Sequence, residues 1–335
     1  MKKVLVTGAT GYIALHCIQQ LLDKGYAVNG SIRSPERKNE IIDALKNCNT
    51  STENLDLFTF DLTNDEGWDE GMDGCDYVLH VASPLALENH TEEYFVKPAV
   101  EGAIRALKFS KKHNVKKVVL TSSVAAIFET GIEKVDYDEN DWSDPNNPKI
   151  SNYAKSKTLA EKAAWDFLKQ ENNPFEFAVI NPALVIGPSL SGDLGVSNFA
   201  IEMVVTGKMP VAIPLQFGFV DVRDVALAHI LAMENASSNG ERFALAESDL
   251  WYKDIANLLR KNGFEKAPTF SVPVWLAKIM ANFSKELKVT VPYLGRVRSV
   301  VKATKAKSIL GWNPRPSEES IIEIANQIRE MGLIK

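Results

Sequence analysis

The chain has 335 residues, with 38 Lys and Arg against 43 Asp and Glu, for a formal net charge of −5. At 45% hydrophobic and 24% charged residues it has a globular composition with enough apolar material for a sizeable core, and its length suits one large domain or two. The acidic balance argues against a dedicated nucleic-acid binder. Cys17, Cys48 and Cys75 lack C-x-x-C spacing, which argues against a disulfide framework or a cysteine zinc site. The apolar run 4–6 behind Lys2 and Lys3 is too short for a signal-peptide core. No stretch approaches the roughly 18 apolar residues of a membrane span, so the expected setting is the cytoplasm, with no membrane partner.

In chain order, strands are expected at 3–7, 27–32, 55–60, 77–81, 115–121 and 177–181, and helices at 12–24, 36–46, 93–113 and 153–170. This alternation reads as βαβ units around a parallel sheet. Runs such as VLV and VVL are apolar on both faces, as in a sheet covered by helices on each side. From Pro182 to Gly218, prolines and glycines punctuate a stretch expected to be rich in loops. A helix near 222–234 and a strand at 242–246 return to the first unit, and helices follow at 252–262, 274–287 and 317–331. The predicted fold is a doubly wound α/β domain with a parallel Rossmann sheet and a smaller mixed C-terminal domain. The dinucleotide-binding domain is expected over 1–181, rejoined by 219–247, and the substrate-binding domain over 182–218 and 248–335.

The first strand runs into Thr7-Gly8-Ala9-Thr10-Gly11-Tyr12-Ile13-Ala14, which opens the first helix. Gly8 permits a tight turn there, and Gly11 lets the backbone approach a pyrophosphate. The helix N-terminus offers free N–H groups to the phosphates, and the small Ala14 allows close helix–sheet packing. At the end of the second strand a carboxylate would hold the ribose 2′-OH of NAD, whereas an arginine accommodates the 2′-phosphate of NADP. The chain reads Gly30-Ser31-Ile32-Arg33-Ser34-Pro35-Glu36-Arg37. Arg33, with Arg37 a turn further on, therefore selects NADP as the expected cofactor.

Tyr153 and Lys157 lie four apart on one face of a helix, with Ser151 and Asn152 as candidate N-caps. A nearby ammonium is expected to lower the phenol's pKa from its ordinary value of about 10. Tyr153 can then protonate a carbonyl oxygen as hydride arrives from a nicotinamide. Ser123 ends an apolar strand at the carboxyl edge of the sheet, where ligands bind in open α/β folds, and its hydroxyl can hydrogen-bond the substrate oxygen.

The order TGATGYIA, LHVASP, VVLTSS, YAKSK, NPALVIGP and LGWNPRP resembles the extended short-chain dehydrogenase/reductases. The likeness spans nearly the whole chain. The similar branch is that of dihydroflavonol reductases, cinnamoyl-CoA reductases and fungal aldehyde/ketone reductases, and TSSVAAIF looks more like the fungal enzymes. The resemblance implies an NADP-dependent carbonyl reductase in which Ser123 orients the carbonyl and Tyr153 is the acid. Lys157 then binds the nicotinamide ribose and tunes Tyr153. It further implies that Asp61 and Leu62 contact the adenine, that Val81, Ala82 and Thr121 line the cofactor cleft, and that Pro182 and Val185 flank the nicotinamide.

Two positions depart from the pattern. Phe128 stands where plant dihydroflavonol reductases carry the asparagine that holds the flavonoid, which favours a smaller or more apolar carbonyl bounded by Phe128, Pro84 and Leu85. The stretch 98–102 offers no asparagine for the family's helical proton relay. Two rival readings stay open. One is a nucleotide-sugar epimerase or dehydratase, although Val124, Ala125 and Ala126 after Ser123 transfer no proton and its diphosphate would need partners such as Arg296 and Arg298. The other is a non-catalytic NADP sensor.

Elsewhere the sequence reads as structural. The five histidines lack H-x-x-x-H pairing, so no metal is expected. Asp221, Arg223 and Asp224 suit capping and ion pairing. Trp275, Ile279 and Phe283 are expected to form a helix's buried stripe, while Phe217 and Phe219 suit either a pocket wall or the core. A homodimer through the Tyr153 helix is possible.

Overall fold

The computed structural model describes every residue except 86–89, 131–135, 289, 296–300 and 335. Its strands are β1 (Lys3–Val6), β2 (Ala27–Ile32), β3 (Leu55–Thr59), β4 (Tyr77–His80), β5 (Lys117–Thr121), β6 (Glu176–Pro182), β7 (Leu184–Ile186), β8 (Gln216–Asp221), β9 (Glu241–Leu245) and β10 (Ser248–Trp251). The helices of the first half are α1 (Tyr12–Asp23), α2 (Lys38–Asn47), α3 (Trp68–Met72), α4 (Glu92–Lys112), α5 (Ala125–Phe128) and α6 (Asn152–Gln170). Those of the second half are α7 (Gly195–Val205), α8 (Val222–Glu234), α9 (Tyr252–Lys261), α10 (Val274–Met280), α11 (Lys285–Lys288), α12 (Thr304–Leu310) and α13 (Ser317–Glu330).

Seven strands form one parallel sheet in the order β3-β2-β1-β4-β5-β6-β9. Its strands β1 and β5 are short and apolar on both faces because each face has its own helical cover. In β1, Val4 and Val6 enter one core with α1, α2, α8 and α12, while Leu5 enters the opposite core with α3, α4 and α6. The same alternation places Val119 of β5 and Ile180 of β6 on the first side, and Val118 and Val179 on the second. Chain order reverses between β1 and β4, which opens a crevice at the carboxyl ends of these strands.

A second sheet, β10-β8-β7, is mixed, with β7 parallel and β10 antiparallel to β8. Its own core draws on α7, α9, α10 and α13. The stretch expected to be rich in loops thus contains β7, α7 and the start of β8. The glycines that suggested loops sit at its turns, where Gly187, Gly192 and Gly195 all have positive φ, and the run NFAIEMVV carries the helix that follows them.

The helix expected at 274–287 is instead two, α10 and α11, divided by a turn in which Ser284 Oγ accepts from the Leu287 amide at 3.2 Å. The expected buried stripe is also overturned. Trp275, Ile279 and Phe283 are 64%, 48% and 88% exposed, because Val274, Ala277 and Met280 take the core-facing side of α10. Apolar residues all round this short segment left its buried face unspecified. By contrast, Asp221 caps α8 through the Arg223 amide and pairs with the Arg223 guanidinium, and Asp224 pairs with Arg315. Phe219 is buried in the second core. The three cysteines are free. Among the described residues no helix is long and apolar enough to cross a membrane, and no group of His, Cys, Asp and Glu is gathered to hold a metal.

Candidate active site

The crevice is a cleft of about 1940 Å³ running from the glycine turn to the second sheet. That exceeds the 300–1,000 Å³ or so of an ordinary small-ligand pocket and suits a dinucleotide with a second molecule beside it. At one end Gly8 has φ +72°, and a Cβ added there would lie 3.0 Å from the Ala82 Cβ. A Cβ at Gly11 would meet the Gly8 carbonyl at the same distance. These two residues thus bring bare backbone to the mouth of α1, whose N-cap Gly11 has no side-chain partner. This cradle fits a pyrophosphate.

Gly8, Thr10, Gly11, Tyr12, Ile13, Arg33, Arg37, Asp61, Leu62, Val81, Ala82, Thr121, Pro182 and Val185 all line the cleft. Thr7 does not. It is fully buried, and its hydroxyl accepts from the Val81 and Ala82 amides at 3.0 Å each while meeting His80 Nδ1 at 3.0 Å. The hydroxyl hydrogen is thus left for His80 Nδ1, which fixes the imidazole proton on Nε2. Thr7 ties the ends of β1 and β4 together rather than facing a ligand.

The two arginines differ in their freedom. Arg37 is engaged by Glu40 through two 2.8 Å hydrogen bonds and also reaches Thr10 Oγ1 at 3.1 Å. Arg33 is exposed and makes no hydrogen bond or ion pair among the described residues. Its charge helps hold the Asp61 carboxyl below the ordinary range, although burial opposes this and hydrogen bonds from Thr63 contribute more.

At the other end, Ser151 caps α6 by accepting from the Ala154 amide at 3.1 Å, while Asn152 is already helical and donates to the His90 carbonyl at 2.9 Å. The cap sets the rotation of α6 so that Tyr153 and Lys157 face the end of β5. Tyr153 and Ser123 both line the cleft, and Ser123 Oγ accepts from the Ala125 amide at 3.1 Å. Lys157 Nζ donates to the Thr121 carbonyl at 3.4 Å and lies 5.9 Å from the Tyr153 ring centroid. Burial pushes the Tyr153 phenol up, against the opposite influence of the Ser123 hydroxyl, so the expected lowering is reversed here. Burial also brings the Lys157 amine down to about 8, while the Glu161 carboxylate works in the opposite direction.

Phe128, Pro84 and Leu85 line the same cleft, and Phe217 and Tyr293 join them from the second half of the chain. Tyr293 donates to Glu129 Oε1 at 2.8 Å, and Glu129 Oε2 accepts from the Ser151 amide at 3.1 Å. One carboxylate therefore links the cap of α6 to the far wall of the cleft. Sequence reading missed this link, since Glu129 and Tyr293 are 164 residues apart and neither lies in a local motif. Arg296 and Arg298, considered above as diphosphate partners, lie outside the described residues.

A seven-stranded doubly wound sheet with a glycine-lined crevice and a Ser, Tyr and Lys group at its carboxyl edge defines a dinucleotide-dependent enzyme class. Residues 4–246 match the NAD dependent epimerase/dehydratase family. The chain is 36% identical over 334 residues to a cinnamoyl-CoA reductase of Medicago truncatula, covering 98% of this chain and 95% of the relative. It is also 36% identical over 284 residues to a putative NADPH-dependent methylglyoxal reductase of Candida albicans, covering 77% and 82%. Among solved structures it is similar to the yeast methylglyoxal/isovaleraldehyde reductase complexed with NADPH, at TM-score 0.80 and 27% identity over 99% of this chain and 100% of that one. Alfalfa vestitone reductase gives 0.78 and 26%, with both chains fully covered. The chain belongs to the NAD dependent epimerase/dehydratase family, the extended short-chain dehydrogenase/reductases.

Proposed function

We propose that this protein reduces an aldehyde or ketone with hydride from NADPH and a proton from Tyr153. It is an NADP-dependent oxidoreductase. Relatives named as NADPH-dependent or complexed with NADPH support this cofactor, as does the unengaged Arg33 at the end of β2. The observation that carries the reaction is the gathering of Ser123, Tyr153 and Lys157 on the wall of the cleft that Gly8 and Gly11 also line, with Lys157 Nζ 5.9 Å from the Tyr153 ring centroid.

Residues of the cleft cradle the pyrophosphate at Gly8 to Ile13 and meet the 2′-phosphate with Arg33, and Arg37 stands beside it. Bound there, the cofactor supplies the hydride. Ser123 orients the substrate oxygen by hydrogen bonding, and Tyr153 holds the proton at its Oη for transfer to that oxygen. Burial keeps the phenol protonated, the form an acid needs, and the Lys157 ammonium stabilises the phenolate left behind. Phe128, Phe217, Pro84 and Leu85 make the substrate side largely apolar, which suits a carbonyl compound without a charged sugar. Val124, Ala125 and Ala126 bring no proton-transferring group beside Ser123, which disfavours a dehydratase. The proposal includes a cytoplasmic setting, in keeping with three free cysteines, and a small-molecule substrate with no nucleic-acid or membrane partner.

The test is NADPH oxidation against aliphatic and aromatic aldehydes, ketones and diketones, with Tyr153→Phe beside wild type. Turnover that collapses in the variant supports the reading. A wholly inert panel with intact NADPH binding opposes it and favours a sensor.

A further inference from the structure

Behind the Tyr153–Lys157 face lies a buried polar cluster that the reaction above does not use. Glu161 is fully buried, one turn beyond Lys157 on the same face of α6. Its Oε2 accepts from Ser122 Oγ at 2.6 Å and from Asn181 Nδ2 at 2.9 Å, and its Oε1 accepts from Arg242 Nε at 2.5 Å. All three partners are donors, which is what a carboxylate requires. Arg242 is itself locked. It donates to the Glu139 and Asp141 carbonyls at 2.7 and 2.9 Å, and its guanidinium lies 3.7 Å from the Trp142 ring centroid. Asn181 also donates to the Ser123 carbonyl at 3.2 Å.

Lys157 and Glu161 are both buried and line one small pocket of about 10 Å³, about the room one water needs, so solvent screens one charge from the other only weakly. The groups facing Lys157 are few. They are Tyr153 and Glu161 from α6, the Thr121 carbonyl and Ser122 from the end of β5, and His80 from β4. The α4 wall contributes only Ala99 and Ala103. His80 is neutral, since burial above all, with the Lys157 charge, brings it down to about 3. Glu161 is therefore the anion in this pocket, and Arg242 approaches it from β9 on the opposite oxygen from Ser122.

We infer that Glu161 is a positioning residue of the reductase site. Its carboxylate, anchored by Arg242, keeps Lys157 in the ammonium form and, through Ser122 and Asn181, fixes the end of β5 that carries Ser123. The role of Lys157 in turnover rests on the reductase reading above, but the state of its amine does not. Without Glu161, burial alone acts on Lys157, and the ammonium is lost near neutral pH.

Lys157 can be titrated directly by NMR on protein carrying isotopically labelled lysine, with its signal identified by Lys157→Met. In Glu161→Gln the Lys157 titration is expected to fall by about one pH unit, and in Glu161→Asp to stay close to wild type. The alkaline limb of kcat/KM for carbonyl reduction is expected to move to lower pH by a similar amount in the Gln variant. If stranding Arg242 prevents Glu161→Gln from folding, Glu161→Gln/Arg242→Gln removes the stranded charge, and Lys157 still titrates below wild type. A Lys157 titration unmoved in the Gln variants, or moved equally by Gln and Asp, overturns the inference. If the titration moves while the kcat/KM limb does not, Glu161 governs the amine but Lys157 does not govern turnover, which counts against the reductase reading.

Discussion

Gly8 and Ala82 approach so closely that a methyl group on Gly8 would lie 3.0 Å from the Ala82 Cβ, at a backbone φ of +72° that side chains resist. The contact joins the two strands between which the chain order reverses. Gly8→Ala is therefore expected to lower stability by roughly 1–3 kcal/mol and to weaken NADPH binding at least about tenfold, or 1.4 kcal/mol. Urea unfolding and cofactor fluorescence titration measure the two effects. Full affinity in the variant would remove this turn as the phosphate cradle.

The arginines should separate by their existing partners. Arg33→Ala is expected to cut the preference for NADPH over NADH by about 10- to 100-fold, the loss of charge-assisted hydrogen bonds of roughly 1.5–3 kcal/mol. Arg37→Ala should do less, because Glu40 already engages that guanidinium. The comparison is kcat/KM with each cofactor. Equal effects of the two variants would mean that the Glu40 pair opens when the cofactor binds.

Burying the Lys157 amine lowers it from 10.5 to about 8, so the unfolded chain binds more protons between those values and stability rises with pH across that window. Below pH 8 the buried ammonium is a standing cost, at most about 3.5 kcal/mol at about 1.4 per unit. Lys157→Met is expected to unfold at a higher temperature than wild type at pH 7 while losing reductase activity. A lower Tm would show that the ammonium stabilises the fold.

His80, His16 and His229 are buried neutral, brought down by burial to about 3, 4 and 4. Each folded value is depressed, so their stability contribution is present above the ordinary value of 6.5 and is lost as pH falls from there toward 4. At pH 5 each removes about 2 kcal/mol. Three such losses rival the whole stability of a typical domain. Urea midpoints measured from pH 7 to pH 5 should fall steeply, and less steeply in His229→Gln. A flat profile would contradict the burial of these rings.

The parts of the site that were legible in the sequence are those built within a few residues. The turn from β1 into α1 shows its glycines, and Tyr153 with Lys157 shows the helical spacing that aims both at one place. The parallel sheet was legible because β1 and β5 are apolar on both faces. Thr7 was misplaced because a hydroxyl in a glycine loop reads the same whether it faces ligand or protein, and only the nearby ends of β1 and β4 decide. Glu161 and Arg242 are 81 residues apart, and no local pattern announces a pair that forms only when β9 docks beside β6. The segment after Val274 failed for another reason, since a short helix apolar all round can bury any of its faces.

The order of the strands has a consequence for synthesis. β9 closes the seven-stranded sheet from the far side of the second one, so β6 remains an open edge while about sixty further residues are made. By the end of that interval the glycine turn and the Tyr153 helix have long been made, whereas Glu161 has no arginine beside it. A nascent chain released before Arg242 would therefore present both a sticky β-edge and an unpaired carboxylate. Completion of the buried cluster behind the candidate site and protection against strand-to-strand aggregation thus arrive in the same folding event.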